Sequence, residues 1–476
     1  MPNVADLVAG DPGHAALVDA RTGERLSYGA LEVAVAAVAG APGLPAGALA
    51  FVYTSNRSAD VVAELGFARG GLAVVLLDAS LPEPQRRSLE RLYVPEVVAG
   101  LVPAVVPEGA PLAWGEHEAA GLVWWQARGG PEAAPVHPDL ALCLSTSGST
   151  GSPKFVRLSA TNVLSNARAI EQALRIGNDE VVLAHLPLHY SYGLSVLHSH
   201  LAAGSTVVLT GESVVRPAFW EQLREHRVTT LPHVPYGYQM LDRVGFADRD
   251  LPTLRTLTQA GGRLDVEHAT RLHRLMTDRG GSFWVMYGQT EATARMAVLP
   301  SDEFEALAGS VGRAIPGGSF EVVADGPDPS DRPGSIVYRG PNVMLGYADD
   351  RAGLGRGDEL GGVLVTGDEG RLDGDVVTVV GRRSRIAKVF GLRFGLDEVE
   401  RAAAAAGGGA AVAALEGDNA VVLFVEGRAP DACAALARSL ARSLRLPAAG
   451  VHVVGLDELP RTASGKVAYA ELPGPS

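Results

Sequence analysis

Cysteine is nearly absent. Cys143 and Cys433 are the only two in 476 residues, which leaves no disulfide framework and no cysteine metal motif. Cys143 lies in an apolar strand pattern, Leu140-Ala-Leu-Cys-Leu144, and reads as an inert core thiol. No uninterrupted apolar run reaches the ~18 residues that span a bilayer. Residues 402–415 come closest, and Gly407-Gly408-Gly409 interrupts them. The start, Met1-Pro-Asn-Val-Ala-Asp6, lacks the basic region and apolar core of a secretory signal. Basic charge is not in excess: the net charge is −13, which argues against a nucleic-acid scaffold but not against a local nucleotide site. There is no internal repeat. These absences predict a soluble cytoplasmic protein with no nucleic-acid partner and no membrane span.

What is present is a globular composition, 47% hydrophobic and 20% charged, on a chain long enough for two or three domains. Its organising stretch is Ser145-Thr146-Ser147-Gly148-Ser149-Thr150-Gly151-Ser152-Pro153-Lys154. Leu140–Leu144 before it reads as a buried strand, and Phe155–Leu158 after it can pair back as a second. Between them stand six hydroxyl residues, two glycines and a Pro-Lys exit. Glycines let a backbone approach an anion closely, and successive N–H groups can wrap phosphate oxygens. Lys154 adds a point charge. No Gly-Lys-Ser/Thr follows at the spacing of a Walker A loop.

Strand and helix signals alternate along the first part of the chain. Helices are expected at Leu31–Val38, from a Ser58 cap to about Arg69, at Pro82–Leu92 and at Ala160–Leu174; strands are expected at Ala50–Tyr53, Ala73–Leu77, Val181–Pro187 and Thr206–Leu209. That alternation indicates α/β layering. Residues 100–138 are rich in Pro, Gly and Ala, have weak periodicity, and read as variable surface or a lid. From Val311 the strands shorten and Pro-Gly and Asp-Gly turns multiply, which suggests a small β-rich subdomain. After the basic Gly381-Arg-Arg-Ser-Arg385, about the last hundred residues read as a compact tail domain.

Four further stretches stand in order with the opening loop: Tyr287-Gly288-Gln289-Thr290-Glu291, Thr366-Gly367-Asp368, Gly381-Arg382, and Pro460-Arg-Thr-Ala-Ser-Gly-Lys466. In order and spacing they resemble the adenylate-forming superfamily of acyl-CoA synthetases, nonribosomal-peptide adenylation domains and firefly luciferase, closest in motif style to acyl- or aryl-CoA ligases. The resemblance runs from Leu26-Ser-Tyr28 to Lys466. The fold it implies is α/β: a large N-terminal domain of layered α/β subdomains with a small β-rich subdomain (residues 1–382), and a small mobile α+β C-terminal domain (383–476).

The same resemblance implies an ATP- and Mg²⁺-dependent ligase that converts a carboxylic acid to an acyl-AMP with release of pyrophosphate, then transfers the acyl group to CoA as a thioester. Joining two anions demands charge neutralisation and in-line positioning, which together can carry most of the barrier. The loop of Thr146, Ser147, Gly148, Ser149, Thr150, Gly151 and Lys154 would hold the β- and γ-phosphates. Thr290 would meet the α-phosphate, Glu291 the Mg²⁺, and Tyr287, with Gly288 and Gln289, the adenine. Asp368 and Arg382 would bind the ribose. Lys466 is similar to the family's catalytic lysine and would be brought in by domain closure. Gly391 matches a loop used in the thioester-forming conformation, and Ser384 stands at the hinge. Gly261 and Gly262 resemble the adenine-edge segment, although Arg263 replaces the family's small or acidic residue. Ser384 and Arg385 likewise depart from the usual acidic or lysine hinge.

His189-Tyr-Ser-Tyr-Gly193 resembles the substrate-side motif of the CoA ligases. His189 is expected as a gate or pocket wall and catalytic contributor, with Tyr192, Gly193, Gly261, Tyr236 and Tyr238 around the acid. The two tyrosines Tyr236 and Tyr238 would narrow the pocket toward a small, aryl or medium-sized acid. The aspartate that peptide adenylation domains place near Gly193 is missing, which disfavours α-amino acids. Two alternatives stay open. One is a stand-alone enzyme serving a phosphopantetheine carrier thiol in trans, an amine or another nucleophile. The other is a non-catalytic nucleotide-binding regulatory homologue.

Overall fold

The computed structural model describes residues 2–104, 113–128, 134–145, 154–323, 333–382, 386–389, 392–406, 411–417, 420–444, 446–462 and 465–473. The chain divides into two compact units, Met1–Ser319 with Arg339–Leu364, and Phe320–Tyr338 with Val365–Ser476. Among the described residues no helix is long and apolar enough to cross a membrane.

The first unit holds two large sheets. In the eight-stranded sheet, Leu49–Thr54 pairs in parallel with Ala73–Asp78, which pairs in parallel with Leu140–Ser145; Phe155–Ser159 then returns antiparallel. Strand Leu49–Thr54 is buried at every position, as a parallel strand covered on both faces must be. In the nine-stranded sheet, Val181–Ala184, Thr230–His233, Thr256–Gln259 and Ser282–Tyr287 run parallel in that spatial order. Helices Ser58–Arg69 and Ser191–Ala202 contribute to one core with strands of both sheets, through residues such as Val52, Leu142, Val182 and Val207. Ser191–Ala202 is buried from Ser191 through Leu201, so its hydrophobicity has no exposed face to spare. A second core, with Phe219, Tyr238, Leu272 and Phe283, covers the other face of the nine-stranded sheet.

The helix expected from Ser58 to Arg69 forms, but Ser58 is its first residue and not its cap. The free N–H groups of Ser55 and Arg57 donate instead to the Asp60 carboxylate, at 2.7 and 2.9 Å. Cys143 is fully buried, and burial pushes its thiol up to about 12. Within residues 100–138, expected as variable surface or a lid, Ala113–Ala119 and Leu122–Arg128 form an antiparallel hairpin.

The second unit contains a four-stranded sheet ordered Ser319–Val323, Gly334–Arg339, Val363–Asp373, Val376–Arg382. It also contains a three-stranded sheet, Val412–Gly417, Ala420–Glu426 and Val451–Leu456, packed with helices Leu396–Ala406 and Pro430–Ser443. The β-rich texture and the α+β tail are both present, and the β-rich sheet, expected within residues 1–382, groups with the tail in this unit.

Candidate active site

Parallel strands end together, so their carboxyl ends collect side chains from distant parts of the chain. Thr54 and Asp78 are register partners at the ends of two such strands. His189 meets both: Nδ1 lies 3.4 Å from Thr54 Oγ1, and Nε2 lies 3.8 Å from Asp78 Oδ2. Burial lowers the His189 pKa from its ordinary range, although Asp78 pulls the other way. The imidazole is therefore held neutral near pH 7.

Strand Ser282–Tyr287 delivers the Tyr-Gly-Gln-Thr-Glu stretch. Its chain doubles back at once: Met296 N–H donates to the Tyr287 carbonyl at 2.9 Å. The fold-back is tight enough that a Cβ on Gly288 would lie 1.7 Å from the Ala294 carbonyl oxygen, so only glycine fits. A short 3-10 helix, Thr290–Ala292, begins there. Thr290 Oγ1 is 3.0 Å from Ser191 Oγ, at the start of the buried helix. The Glu291 carboxylate accepts a 2.7 Å hydrogen bond from the Tyr347 hydroxyl. Lys154 Nζ stands 3.9 Å from the centroid of the Tyr347 ring. The Gln289 side-chain nitrogen is buried and has no partner among the described residues. Lys154 and Glu291, far apart in sequence, are thus tied together through Tyr347, and Thr290, next to Glu291 in the chain, meets Ser191.

Arg157 fixes the strand that carries Tyr347. It is fully buried, and it donates to the carbonyls of Leu345, Tyr347, Arg356 and Gly357 and to the Glu359 carboxylate. Its hydrogen-bonding capacity is therefore spent within the protein.

On the acid side, Gly261 has φ +83°, and a Cβ there would fall 2.3 Å from the Tyr190 hydroxyl oxygen. The Gly262 carbonyl accepts from Gln259 Nε2 at 2.7 Å. Tyr192 is buried and donates to the Thr258 carbonyl at 2.9 Å, while Gly193 is buried in the same helix. Tyr236 is half-buried against the first core. Tyr238 is placed otherwise: it is fully buried in the second core, against Phe283, with its hydroxyl on the Thr258 carbonyl. The two tyrosines are two apart on helix Pro235–Arg243, and positions i and i+2 point to different sides of a helix. Tyr238 packs the second core, on the other side of the helix from Tyr236.

In the second unit, Asp368 and Arg382 are register partners on adjacent antiparallel strands. Arg382 Nε donates to Asp368 Oδ1 at 3.1 Å, and Asp368 is only 4% exposed. Lys466 is half-buried in a tight turn, where its carbonyl accepts the Thr462 N–H at 2.8 Å. Thr146, Ser147, Gly148, Ser149, Thr150, Gly151, Ser384 and Gly391 lie outside the described residues. Sequence reasoning did not select Tyr347, Ser191, Tyr190, Asp78, Thr54 or Arg295. Tyr190 and Ser191 sit inside the quoted His189–Gly193 stretch, but the others carry no signal beyond their residue type.

The AMP-binding enzyme family matches residues 4–348. The chain belongs to this family, within the adenylate-forming superfamily. It is 33% identical over 354 residues to an indoleacetate–CoA ligase of Aromatoleum aromaticum, covering 71% of this chain and 67% of that protein. It is also 33% identical over 351 residues to an L-proline–[L-prolyl-carrier protein] ligase of Pseudomonas fluorescens, covering 69% and 67%. The anguibactin system regulator of Vibrio anguillarum is 29% identical over 488 residues, covering 94% of this chain, which spans 45% of that protein. The fold matches o-succinylbenzoate CoA synthetase of Bacillus subtilis in complex with its acyl-adenylate intermediate, with TM-score 0.77, 22% identity and coverage of 99% and 98%.

Proposed function

We propose that this protein activates a carboxylic acid with ATP and passes the acyl group to a thiol, that of CoA in the first instance. The observation that carries the reading is the tie of Lys154 and Glu291 through Tyr347, beside the Thr290–Ser191 hydroxyl pair. A carboxylate oxygen attacks the α-phosphorus, and the bond to the bridging oxygen breaks to release pyrophosphate. The thiol sulfur then attacks the acyl carbon, and AMP leaves.

Lys154 neutralises the outgoing pyrophosphate, together with the loop of residues 146–151. Thr290 orients the α-phosphate. Glu291 is the carboxylate for Mg²⁺, which offsets phosphate charge when bound. Among the described residues no group of three or more His, Cys, Asp and Glu could hold a metal, and a single carboxylate suits an ion that takes its remaining ligands from phosphates and water. Tyr287, Gly288, Gln289 and Gly262 frame the adenine, and Gly261, at the adenine edge, borders the acid pocket. Asp368, held by Arg382, receives the ribose hydroxyls. Lys466 stabilises the charge that develops at the α-phosphate, delivered by movement of a C-terminal domain that begins at residue 383 and hinges at Ser384. Gly391 serves the thioester step. His189, neutral and held by Asp78 and Thr54, walls the acid pocket with Tyr192, Gly193 and Tyr236. The similarity to a prolyl-carrier ligase supports a carrier thiol as the second acceptor to test.

Pyrophosphate–ATP exchange with a panel of acids tests the first step. No exchange, with behaviour unchanged in Lys466→Ala, would leave a non-catalytic nucleotide-binding homologue. Product mass after addition of CoA tests the second step: acyl-CoA supports the ligase, and accumulating acyl-AMP points to another acceptor.

A further inference from the structure

We infer that the acid this protein activates carries a second anionic group, a carboxylate, which Arg295 receives at the far end of the acid pocket. The inference rests on the adenylation reading above and adds the substrate class.

Three arginines are buried among the described residues: Arg157, Arg295 and Arg351. Two are paired within the protein. Arg157 meets Glu359, and Arg351 makes a two-nitrogen contact with Glu96, at 2.7 and 3.1 Å. Arg295 is 2% exposed and has no carboxylate partner among the described residues. Among the described residues its Nε has no hydrogen-bond partner, and Nη2 approaches Ser195 Oγ at 3.5 Å. The guanidinium lies over the Tyr192 ring, 4.9 Å from the centroid. Burial raises the pKa values of Tyr190 (to about 12) and Tyr192, so both phenols are neutral and supply no counter-charge. A guanidinium out of water is strongly destabilising unless an anion and good hydrogen bonds meet it. Neither comes from the described residues.

The placement is enforced. Asn166 Nδ2 and Asn342 Nδ2 both donate to the Arg295 carbonyl at 2.9 Å, and the Arg295 N–H donates to Asn166 Oδ1 at 3.3 Å. Just before it, Thr293 and Ala294 hold φ of 62° and 152°. Non-glycine residues keep such angles only where surrounding structure over-determines them, commonly at ligand sites. This turn carries Arg295 into the molecule directly after the Thr290–Glu291 pair.

One helix touches both the Thr290 hydroxyl and the guanidinium. Ser191 meets Thr290, and Ser195 meets Arg295. The two serines are four apart on one face of a helix, so Arg295 lies about one turn, ~5.4 Å, beyond the Thr290 hydroxyl. Tyr190, whose hydroxyl abuts Gly261, lies within the electrostatic reach of Arg295. An acid with its reacting carboxylate near Thr290 and a spacer of a few carbons would bring a second carboxylate to the guanidinium, where a planar two-oxygen contact is available.

The test is pyrophosphate–ATP exchange with matched pairs of acids: linear diacids of four to eight carbons against monoacids with a terminal methyl in place of the second carboxylate, and benzenedicarboxylates against methylbenzoates. A site built for a polar group rejects the analogue that lacks it strongly. The expected result is a kcat/KM for at least one diacid about a hundredfold above its partner, a preference that Arg295→Met abolishes and Arg295→Lys partly retains. If monoacids exchange as well as or better than every matched diacid, the inference falls while adenylation stands. If no acid exchanges, the adenylation reading falls and the inference with it. The wild-type preference decides the matter even if Arg295→Met fails to fold.

Discussion

The hydroxyl of Tyr347 donates to the carboxylate of Glu291 at 2.7 Å. Burial and the nearby Glu291 charge both raise the tyrosine pKa, so the phenol stays protonated and acts as donor. One oxygen of Glu291 is thereby oriented by a strand from a different part of the chain, and the same ring faces Lys154. Tyr347 is a positioning residue for the proposed metal carboxylate. A hydrogen bond to a charged group contributes ~1.5–3 kcal/mol, or about ten- to a hundredfold in rate. Tyr347→Phe should therefore raise the Mg²⁺ concentration needed for half-maximal exchange and lower kcat/KM for MgATP by that factor. An unchanged Mg²⁺ dependence would remove the role.

Gly261 and Tyr190 make a second coupled pair. Gly261→Ala adds a Cβ that collides with the Tyr190 hydroxyl and takes a left-handed backbone angle, +83°, that costs about 1–2 kcal/mol in its own right. The variant should show a raised KM for the acid. Replacing Tyr190 by Phe in the same chain deletes the colliding oxygen and should recover part of the loss, read as a positive coupling in a double-mutant cycle. Strict additivity would mean that the two residues do not share the pocket.

Acid stability is set by groups of opposite sign. Burial lowers His185 to about 4 from an ordinary 6.5, and holds His233, whose ring is 4.5 Å away, well below its usual range. Between pH 6.5 and 4 the unfolded chain binds more protons at His185, so this histidine's contribution is present above 6.5 and is lost as pH falls. Asp60, pushed up to about 6 by burial, works the other way: the folded state takes up its proton first, and that contribution is lost as pH rises through 6. Each contribution is on the order of 3 kcal/mol. Asp60→Asn keeps an oxygen for the Ser55 and Arg57 N–H groups but removes the titration. Its melting temperature should therefore fall more steeply than that of the wild type from pH 6.5 to 4. Parallel pH profiles would show that Asp60 is not protonated on folding.

Layering and most strand positions were legible in the sequence, because buried parallel strands and fully buried helices leave long apolar signatures. Hairpin 113–128 was not. Its turn residues, Ala120 and Gly121, have φ of 51° and 74°, and such a turn is normally announced by Asn-Gly or Asp-Gly; alanine hides it. Ser58 looked like a cap because serine usually is one, whereas the capping carboxylate comes from Asp60, within the helix. Tyr236 and Tyr238 share a segment but not a side, since helical geometry separates i from i+2. Tyr347 and Arg295 depend on contacts between residues far apart in the chain, with Glu291 at 56 residues and Ser195 at 100 residues respectively. No local pattern encodes such contacts.

Lys466 offers the sharpest separation of binding from chemistry. Its carbonyl closes a turn with Thr462, and Gly465 precedes it at φ +77°, so backbone groups close this turn. Lys466→Ala should leave that turn, and the stability of the unit, intact. A charge used mainly in the transition state affects kcat rather than ground-state binding. Loss of one preorganised charge-stabilising group typically costs about 10²–10³ in kcat. Exchange should fall by that factor, while ATP binding measured by calorimetry changes by less than about threefold, the 2–3-fold scatter common to such contributions. Asp368→Ala should give the reverse pattern, because the proposed partner of Asp368, which Arg382 holds at 3.1 Å, is the ribose, a part of the nucleotide that does not react. Equal losses of binding and exchange in Lys466→Ala would place this lysine among the binding groups and leave the charge on the α-phosphate to Thr290 and its neighbours.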